Sequence, residues 1–298
     1  MRAAAPVAHA VPVTAEHAAE HAGDHPCDAP ADDREVPLPG GGMGGAVRVG
    51  ATVRRAAGPW TPAVQRLLGH LRSRGVAVPE PLGVDGRGRD VTGFVPGEVV
   101  HYPLPGWFWA DEVLDSAARL LRVAHDATTD LVRDPALTAW TWRLPAHEPV
   151  EVVCHNDTSP DNLVVADGRV VAMIDWDTAS PGPRVWDVAY LAYRLVPLGP
   201  AGADPDPGGP GTRGPDPDVR DPDVRDPGER ARRLRLLCAA YGDLDPAAVL
   251  PVVVRRLTEL AAFTRDRADG DAELLRHAAL YEDDARWVAA STAALLAP

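Results

Sequence analysis

The sequence predicts an α+β fold with a small, β-rich N-terminal lobe and a larger, helical C-terminal lobe. Short segments of strand character and turn residues dominate as far as about residue 95. Amphipathic helical patterns fill most of the remainder, apart from a second group of short strands near residue 160. The chain thus divides into two unequal parts. The 298 residues are enough for one large domain or for two lobes.

We expect the small lobe to span residues 37–96. It begins with a glycine-rich turn, and glycines allow a backbone to approach phosphate groups closely. A glycine-rich hairpin without a ligand is the alternative. The glycines are Gly41, Gly42, Gly44 and Gly45. Strands are predicted at 46–49, 51–55 and 89–95, and an amphipathic helix at 62–74.

The larger lobe, 97–298, contains the most informative stretch of the chain. Residues 152–154 predict a short buried strand, because three apolar residues precede a polar segment. His155 begins this polar loop, and Asn162 ends it. Pro160 keeps the loop from forming a helix.

A predicted hairpin joins this loop to a further acidic residue. Residues 163–165 and 169–174 form its two strands, and the Asp-Gly pair between them is a strong turn signal. Asp175 follows the second strand, so Asp157, Asn162 and Asp175 converge towards one point. Carboxylate and amide oxygens suit Mg²⁺. Transfer of a terminal phosphoryl group needs such ligands and an Asp that accepts the proton of the attacking hydroxyl.

The segment resembles the aminoglycoside phosphotransferase and choline kinase family, whose members share the protein-kinase-like fold. Its catalytic loop reads H-x-D-x-x-x-x-N, which is matched here by His155, Asp157 and Asn162. Its metal-binding stretch begins Ile-Asp, which is matched by Asp175 and the residue before it. The resemblance implies Asp157 as catalytic base, His155 as a brace of the loop, and Asn162 and Asp175 as Mg²⁺ ligands. It also implies that Asp187 hydrogen-bonds the catalytic loop, and we expect Asp187 to cap the helix after it.

The resemblance further implies that ATP or GTP binds between the lobes. The base would lie against a hinge at 94–98, where Val95 offers backbone hydrogen bonds. The family's phosphate-binding Lys is absent, and we expect Arg54 or Arg55 to replace it. Strand alternation allows only one of the two to face the cleft. The usual Glu partner is also absent, and Gln65 is the nearest polar residue; ordinary surface arginines are the alternative.

We therefore expect Mg²⁺-dependent transfer of a nucleotide γ-phosphate to a hydroxyl group of a small molecule, such as an aminoglycoside-like antibiotic, an amino alcohol or a sugar. A catalytically silent nucleotide-binding or regulatory protein is the main alternative, because the usual Lys and Glu are missing. A two-metal hydrolase would need more histidines than His155. A protein kinase is not supported, because no activation segment is recognisable. Chance placement of solvated acids is the remaining interpretation.

Four more helices are predicted in the larger lobe, at 111–126, 230–241, 247–267 and 271–294. Five aromatic residues could wall a substrate pocket, although we favour a place in the core. They are Trp107, Phe108, Trp109, Trp140 and Trp142. Four acidic residues correspond to positions where relatives present acids to substrate amines, although exposed helix acids are the simpler interpretation. They are Glu259, Asp266, Asp283 and Asp284.

Composition narrows the classes of partner. All 30 basic residues are Arg, which excludes a P-loop because that motif requires Lys. The net charge of −13 argues against a nucleic-acid partner. No apolar run reaches membrane-spanning length and no secretory signal is recognisable, so we expect a cytoplasmic protein without a membrane partner. The cysteines are widely separated and predict no disulfide framework.

Two segments have compositions typical of disorder. Residues 1–36 are rich in Ala, Pro, His and Asp, and 199–229 contain a tandem Asp-Pro-Asp-Val-Arg repeat. A soft-metal site in the first segment is the alternative, but Gly23 and Pro26 interrupt the required helix. Its ligands would be His17, His21, His25 and Cys27.

Overall fold

The computed structural model describes residues 34–39, 45–200, 224–242 and 244–298. The predictions for Gly41, Gly42 and Gly44 lie outside these residues, as do those for the histidine-rich segment and for most of 199–229. Within the described residues the molecule combines a strand-rich N-terminal part with a helical C-terminal part, which confirms the predicted α+β class.

The N-terminal part is a five-stranded antiparallel sheet in the order β1-β2-β3-β5-β4, with helix α1 between β3 and β4. The apolar face of α1 is buried, and each buried Leu there contributes roughly 1.5–3 kcal/mol. The strands are β1 (Val36–Pro37), β2 (Val47–Val49), β3 (Thr52–Ala56), β4 (Pro81–Val84) and β5 (Arg89–Gly93), and α1 is Thr61–Ser73.

Where the structure describes it, the C-terminal part holds two further small sheets and five long helices. Strands β6, β8 and β9 form one sheet, and β7 pairs with β10 in the other. The strands are β6 (Glu98–Val99), β7 (Val152–Cys154), β8 (Leu163–Ala166), β9 (Arg169–Met173) and β10 (Ser180–Gly182). The helices are α2 (Asp111–Thr128), α3 (Arg184–Leu195), α4 (Pro227–Gly242), α5 (Pro246–Asp266) and α6 (Ala272–Leu295).

The chain crosses between the two parts at Gly97. Gly97 has φ +142°, and a Cβ atom there would lie 2.3 Å from Val164 Cγ1 and 2.9 Å from the carbonyl oxygen of Val165. The next residue, Glu98, pairs with Val165 in the β6–β8 ladder. Only glycine fits this close approach without displacing β8. The crossing strand is thereby fixed beside the strand that follows the predicted catalytic loop.

Several predicted boundaries differ from the observed ones. The strand expected at 89–95 ends at Gly93, after which the chain turns into the hinge. Val36 was expected in a disordered tail, but it pairs with Arg48 at the edge of the sheet. Helix α4 begins at Pro227, inside the segment 199–229, because Pro is tolerated in a first turn.

No single helix among the described residues has the length and hydropathy of a membrane span, and α4 and α5 meet that criterion only as a bent pair.

Candidate active site

The predicted catalytic loop leaves strand β7 and ends where β8 begins. Asp157 lies within it, half-buried, and its Oδ1 accepts a hydrogen bond from Ser159 Oγ at 2.9 Å. Burial raises the pKa of Asp157, and the neighbouring charge of Asp161 raises it further. The positive charge of Arg194 acts in the opposite direction, as do His155 and Ser159, but the net pKa stays above that of an ordinary Asp.

His155 ties this loop to the segment that carries Asp175. Its Nε2 lies 2.9 Å from the carbonyl oxygen of Ile174, and its Nδ1 accepts from the backbone N–H of Asp157 at 3.3 Å. The contacts assign Nε2 as the donor and Nδ1 as the acceptor of the ring. The ring also packs on Trp176, with 4.5 Å between ring centroids. This is the geometry of a brace rather than of a reacting group.

The hairpin β8–β9 brings Asn162 and Asp175 together. Leu163, directly after Asn162, pairs with Met173, and the Asn162 carbonyl accepts from the Ile174 N–H at 3.0 Å. Asn162 Nδ2 donates to the carbonyl oxygen of Asp157 at 2.9 Å, which leaves Oδ1 as the amide atom suited to a metal ligand. The Asp175 side chain is 45% exposed. Hard oxygen donors of this kind fit Mg²⁺.

Asp187 anchors the backbone of the catalytic loop. Its carboxylate accepts from the N–H of His155 at 2.6 Å and of Asn156 at 2.8 Å, and it lies 3.1 Å from His125 Nε2. The prediction that Asp187 caps the following helix is wrong. Helix α3 begins at Arg184, so Asp187 lies inside the first turn and its side chain points to the loop.

Arg55 is the arginine that faces the candidate metal loop. Its Nη1 lies 2.6 Å from Asp175 Oδ1, its Nη2 lies 2.8 Å from Asp177 Oδ1, and its Nε lies 3.2 Å from Asp90 Oδ2. Burial lowers the pKa of Arg55, but the three carboxylates together raise it above its ordinary value. Arg54 lies on the other face of β3, with Nη1 3.9 Å from Asp85.

One of the three acidic partners of Arg55 comes from a neighbouring strand, whereas helix α1 supplies none. Asp90 is directly opposite Arg55 in the β3–β5 ladder, where side chains share one face. Gln65 in α1 donates to Asp90 and to the carbonyl of Val91. Gln65 therefore supports the acid and does not pair with the arginine. Asp90 lies in one of two predicted strands, 51–55 and 89–95, that pair with each other. Its position opposite Arg55 could have been predicted only if the register of that pairing had been known.

Two further residues at the site were not identified from sequence. Asn156 has φ +66°, and its Nδ2 donates to the carbonyl of Thr178 and to Ser180 Oγ. Arg256 reaches from α5 and donates to the carbonyl oxygen of Asn156. No local motif marks Arg256, because it lies 100 residues from the atom that it contacts.

The remaining predicted nucleotide contacts are less defined. Gly45 is among the residues that the structure describes, and a Cβ atom added to it would have no neighbouring atom within 4 Å. Val95 lies between β5 and the crossing at Gly97, outside any strand. This position is compatible with backbone hydrogen bonds to a nucleotide base, and base binding by Val95 stays a prediction.

The aromatic and acidic residues of the large lobe divide between core and surface. Phe108 and Trp109 are buried, whereas Trp107 is exposed and Trp140 is half-buried. Asp284 was expected to be exposed, but it is buried and accepts from Tyr193 Oη at 2.6 Å.

A group of potential metal ligands lies behind the loop. His125, Cys154 and Asp187 are buried with their ligand atoms within 4.8 Å of one another. The two ring nitrogens of His125 already contact Tyr241 Oη at 2.6 Å and Asp187 at 3.1 Å. Burial raises the pKa of the Cys154 thiol well above its ordinary value, so the thiol stays protonated. This group is therefore a hydrogen-bonded support for the loop.

Known sequences match the segment around this site. The sequence model of the phosphotransferase enzyme family matches residues 101–222. The trifolitoxin immunity protein of Rhizobium leguminosarum bv. trifolii is 38% identical over 152 residues, a match that covers 49% of this chain and 56% of that protein. The match thus spans little more than half the length of this curated relative.

Solved structures with a similar fold include proteins named as kinases or phosphotransferases. The choline/ethanolamine kinase family protein of Mesorhizobium loti has a TM-score of 0.55 at 16% identity, covering 90% of this chain and 94% of that chain. The ethanolamine kinase of Plasmodium vivax has a TM-score of 0.59 at 12% identity, covering 87% and 83%. The macrolide 2'-phosphotransferase of Brachybacterium faecium has a TM-score of 0.51 at 16% identity, covering 84% and 92%. The predicted resemblance and the kinase-like fold are thus confirmed, and residues 101–222 match the phosphotransferase enzyme family.

Proposed function

We propose that this chain transfers the γ-phosphate of ATP or GTP to a hydroxyl group of a small molecule, with Mg²⁺ as cofactor. The observation that carries the proposal is the hairpin β8–β9, which joins the loop of Asp157 and Asn162 to Asp175. In this proposal a general base and two oxygen ligands lie on segments joined by the hairpin, and the half-buried Arg55 pairs with Asp175. This set matches the demands of phosphoryl transfer, which depends on positioning and charge neutralisation.

In the proposed reaction, Asp157 accepts or orients the proton of the acceptor hydroxyl. The raised pKa of Asp157 makes its carboxylate a better proton acceptor than an ordinary Asp. The acceptor oxygen forms a bond to the γ-phosphorus as the bridging bond to the nucleoside diphosphate breaks. Asn162 and Asp175 would hold Mg²⁺, which neutralises phosphate charge when bound. Arg55 would contribute positive charge on the phosphate side.

Asp157→Ala tests this assignment directly. Release of nucleoside diphosphate should be followed with aminoglycosides, macrolides, amino alcohols and sugars as acceptors. The variant should lose transfer by about a hundredfold or more, because general-base catalysis contributes on that order. Its nucleotide affinity should remain close to that of wild type. Comparable transfer by the variant would remove Asp157 from its role.

A catalytically silent nucleotide-binding protein is the second candidate. It is favoured by the replacement of Lys by Arg55 and by the absence of an acid in α1. Similarity to the trifolitoxin immunity protein is compatible with either chemical modification or binding of a toxic compound. Nucleotide binding without turnover across the acceptor series would favour this candidate. A cytoplasmic location stays a prediction.

A further inference from the structure

A buried arginine lies among tyrosine rings beside the candidate active site. Arg194 is in the last turn of α3 and is 4% exposed. Its guanidinium carbon lies 5.0 Å from the ring centroid of Tyr102, 5.9 Å from that of Tyr190 and 6.0 Å from that of Tyr193. Aromatic faces at such distances attract a cation through the ring quadrupole. We call these three rings the tyrosine cage, and the guanidinium of Arg194 occupies it.

A buried carboxylate accompanies the tyrosine cage. Asp284, from α6, is buried and accepts from Tyr193 Oη at 2.6 Å. Burial raises the pKa of Asp284, and the charge of Arg194 acts in the opposite direction. Aromatic rings and a carboxylate together are surroundings that favour a buried cation.

The tyrosine cage also touches the support of the catalytic loop. Arg256, which donates to the carbonyl of Asn156, lies 4.5 Å above the Tyr190 ring. Asn156 directly precedes Asp157, so Tyr190 is one side chain away from the backbone of the candidate base. The cage therefore lies close to where an acceptor hydroxyl would approach Asp157.

We propose that Arg194 determines acceptor specificity by filling the tyrosine cage with the chain's own cation. An ammonium or quaternary ammonium group of an acceptor would meet an occupied site and a like charge. Resting on the proposed function, this narrows the acceptor class to hydroxyl compounds whose group nearest the cage is neutral or anionic. It disfavours choline-like and ethanolamine-like acceptors, although the fold is shared with proteins named as kinases of that type.

Binding of tetramethylammonium, measured by calorimetry without nucleotide, tests the proposal. Wild type and Arg194→Lys, which keeps a cation in the cage, should bind it weakly or not at all. Arg194→Ala should bind about tenfold more tightly than wild type, in line with the strength of a cation–π site. Arg194→Met keeps the apolar stem without the charge and serves as the second variant if the alanine variant does not fold. Adding Tyr190→Leu to either variant should remove the gained binding.

Equal tetramethylammonium affinity in wild type and a folded neutral variant would overturn the proposal. Gained binding that persists after Tyr190→Leu would also overturn it, because the ion would then bind elsewhere. Near-ultraviolet circular dichroism establishes which variants are folded. Since the measurement requires neither nucleotide nor turnover, it succeeds or fails independently of the proposed phosphotransfer.

Discussion

Arg55 donates from Nη1 to the Asp175 carboxylate across 2.6 Å, although the two residues are 120 positions apart in the chain. This ion pair links strand β3 of the N-terminal sheet directly to the candidate metal loop. The same guanidinium reaches Asp90 and Asp177, so one cation neutralises three acids. Arg55 therefore links the two parts directly, and in the proposed function its positive charge lies on the phosphate side of the site.

Arg55→Ala should weaken nucleotide binding by about tenfold to a hundredfold, because charge-assisted hydrogen bonds contribute roughly 1.5–3 kcal/mol. Arg55→Lys should recover part of the loss, since it keeps the charge without the planar fork. Arg54→Ala is the matched control, because Arg54 faces Asp85 on the other side of the strand. Equilibrium binding of ATP and GTP measures all three. Equal losses in the Arg54 and Arg55 variants would contradict the assignment.

Arg256 should act as a positioning residue for the catalytic loop. Arg256→Met removes the donor to the carbonyl of Asn156, the residue held at φ +66° before Asp157. We expect kcat to fall about tenfold or more while nucleotide affinity stays near that of wild type, since misplacement of a reacting group lowers the rate. Arg255→Met is the control, because Arg255 pairs with the surface acid Glu259. A fall in nucleotide affinity with kcat unchanged would argue against this role.

Asp187→Asn should destabilise the protein in a pH-dependent way. Burial raises the pKa of Asp187, but the hydrogen bond from His125 and the charges of His125, Arg256 and His155 lower it to below the ordinary range. A carboxyl group whose pKa is lower in the folded state stabilises the protein at pH values above its unfolded-state pKa. This stabilisation is lost as the pH falls through the folded-state pKa.

Denaturant unfolding of both proteins across pH checks this prediction. The variant should lose about 2–3 kcal/mol near pH 7, as expected for hydrogen bonds to a charged group. The difference between the two proteins should shrink as the pH drops below about 4, the ordinary Asp range. A difference that stays constant, or that grows on acidification, would show that the carboxylate charge is not what stabilises the loop.

Gly97→Ala should disturb the crossing between the two parts. The added methyl would lie 2.3 Å from Val164 Cγ1, at a backbone φ of +142° that non-glycine residues avoid. We expect a loss of about 2–4 kcal/mol in unfolding free energy and a displaced strand β8. Gly106→Ala has open space around its Cα and should change stability little. Similar melting temperatures for the two variants would mean that the backbone at Gly97 accommodates a methyl group without strain.

Local patterns predicted the centre of the site best. The strand at 152–154 was predicted at its observed bounds, because three apolar residues stand between polar neighbours. The hairpin turn was predicted from Asp167-Gly168, and both residues have positive φ, as the tight turn requires. These features depend on a few adjacent residues, so the sequence alone carries them.

Features that depend on distant elements could not be predicted in the same way. Alternation showed that one of Arg54 and Arg55 faces the cleft, but the choice depends on which face of β3 packs inward. The pairing of Arg55 with Asp90 depends on strand register, and buried Asp284 accepts a hydrogen bond from Tyr193, 91 residues away in the chain. The capping role expected for Asp187 failed because α3 begins three residues earlier, at Arg184.

A thermal-shift series with ATP and GTP, each with and without Mg²⁺, on wild type and Asp175→Ala tests the central claim most directly. A ligand that binds only the folded state adds about 2.7 kcal/mol of stability at a hundredfold excess over its Kd. We predict a Mg²⁺-dependent rise in the melting temperature of wild type with at least one nucleotide, and its loss in Asp175→Ala. No shift with either nucleotide, or an equal shift in the variant, would contradict a nucleotide site built on Asp175.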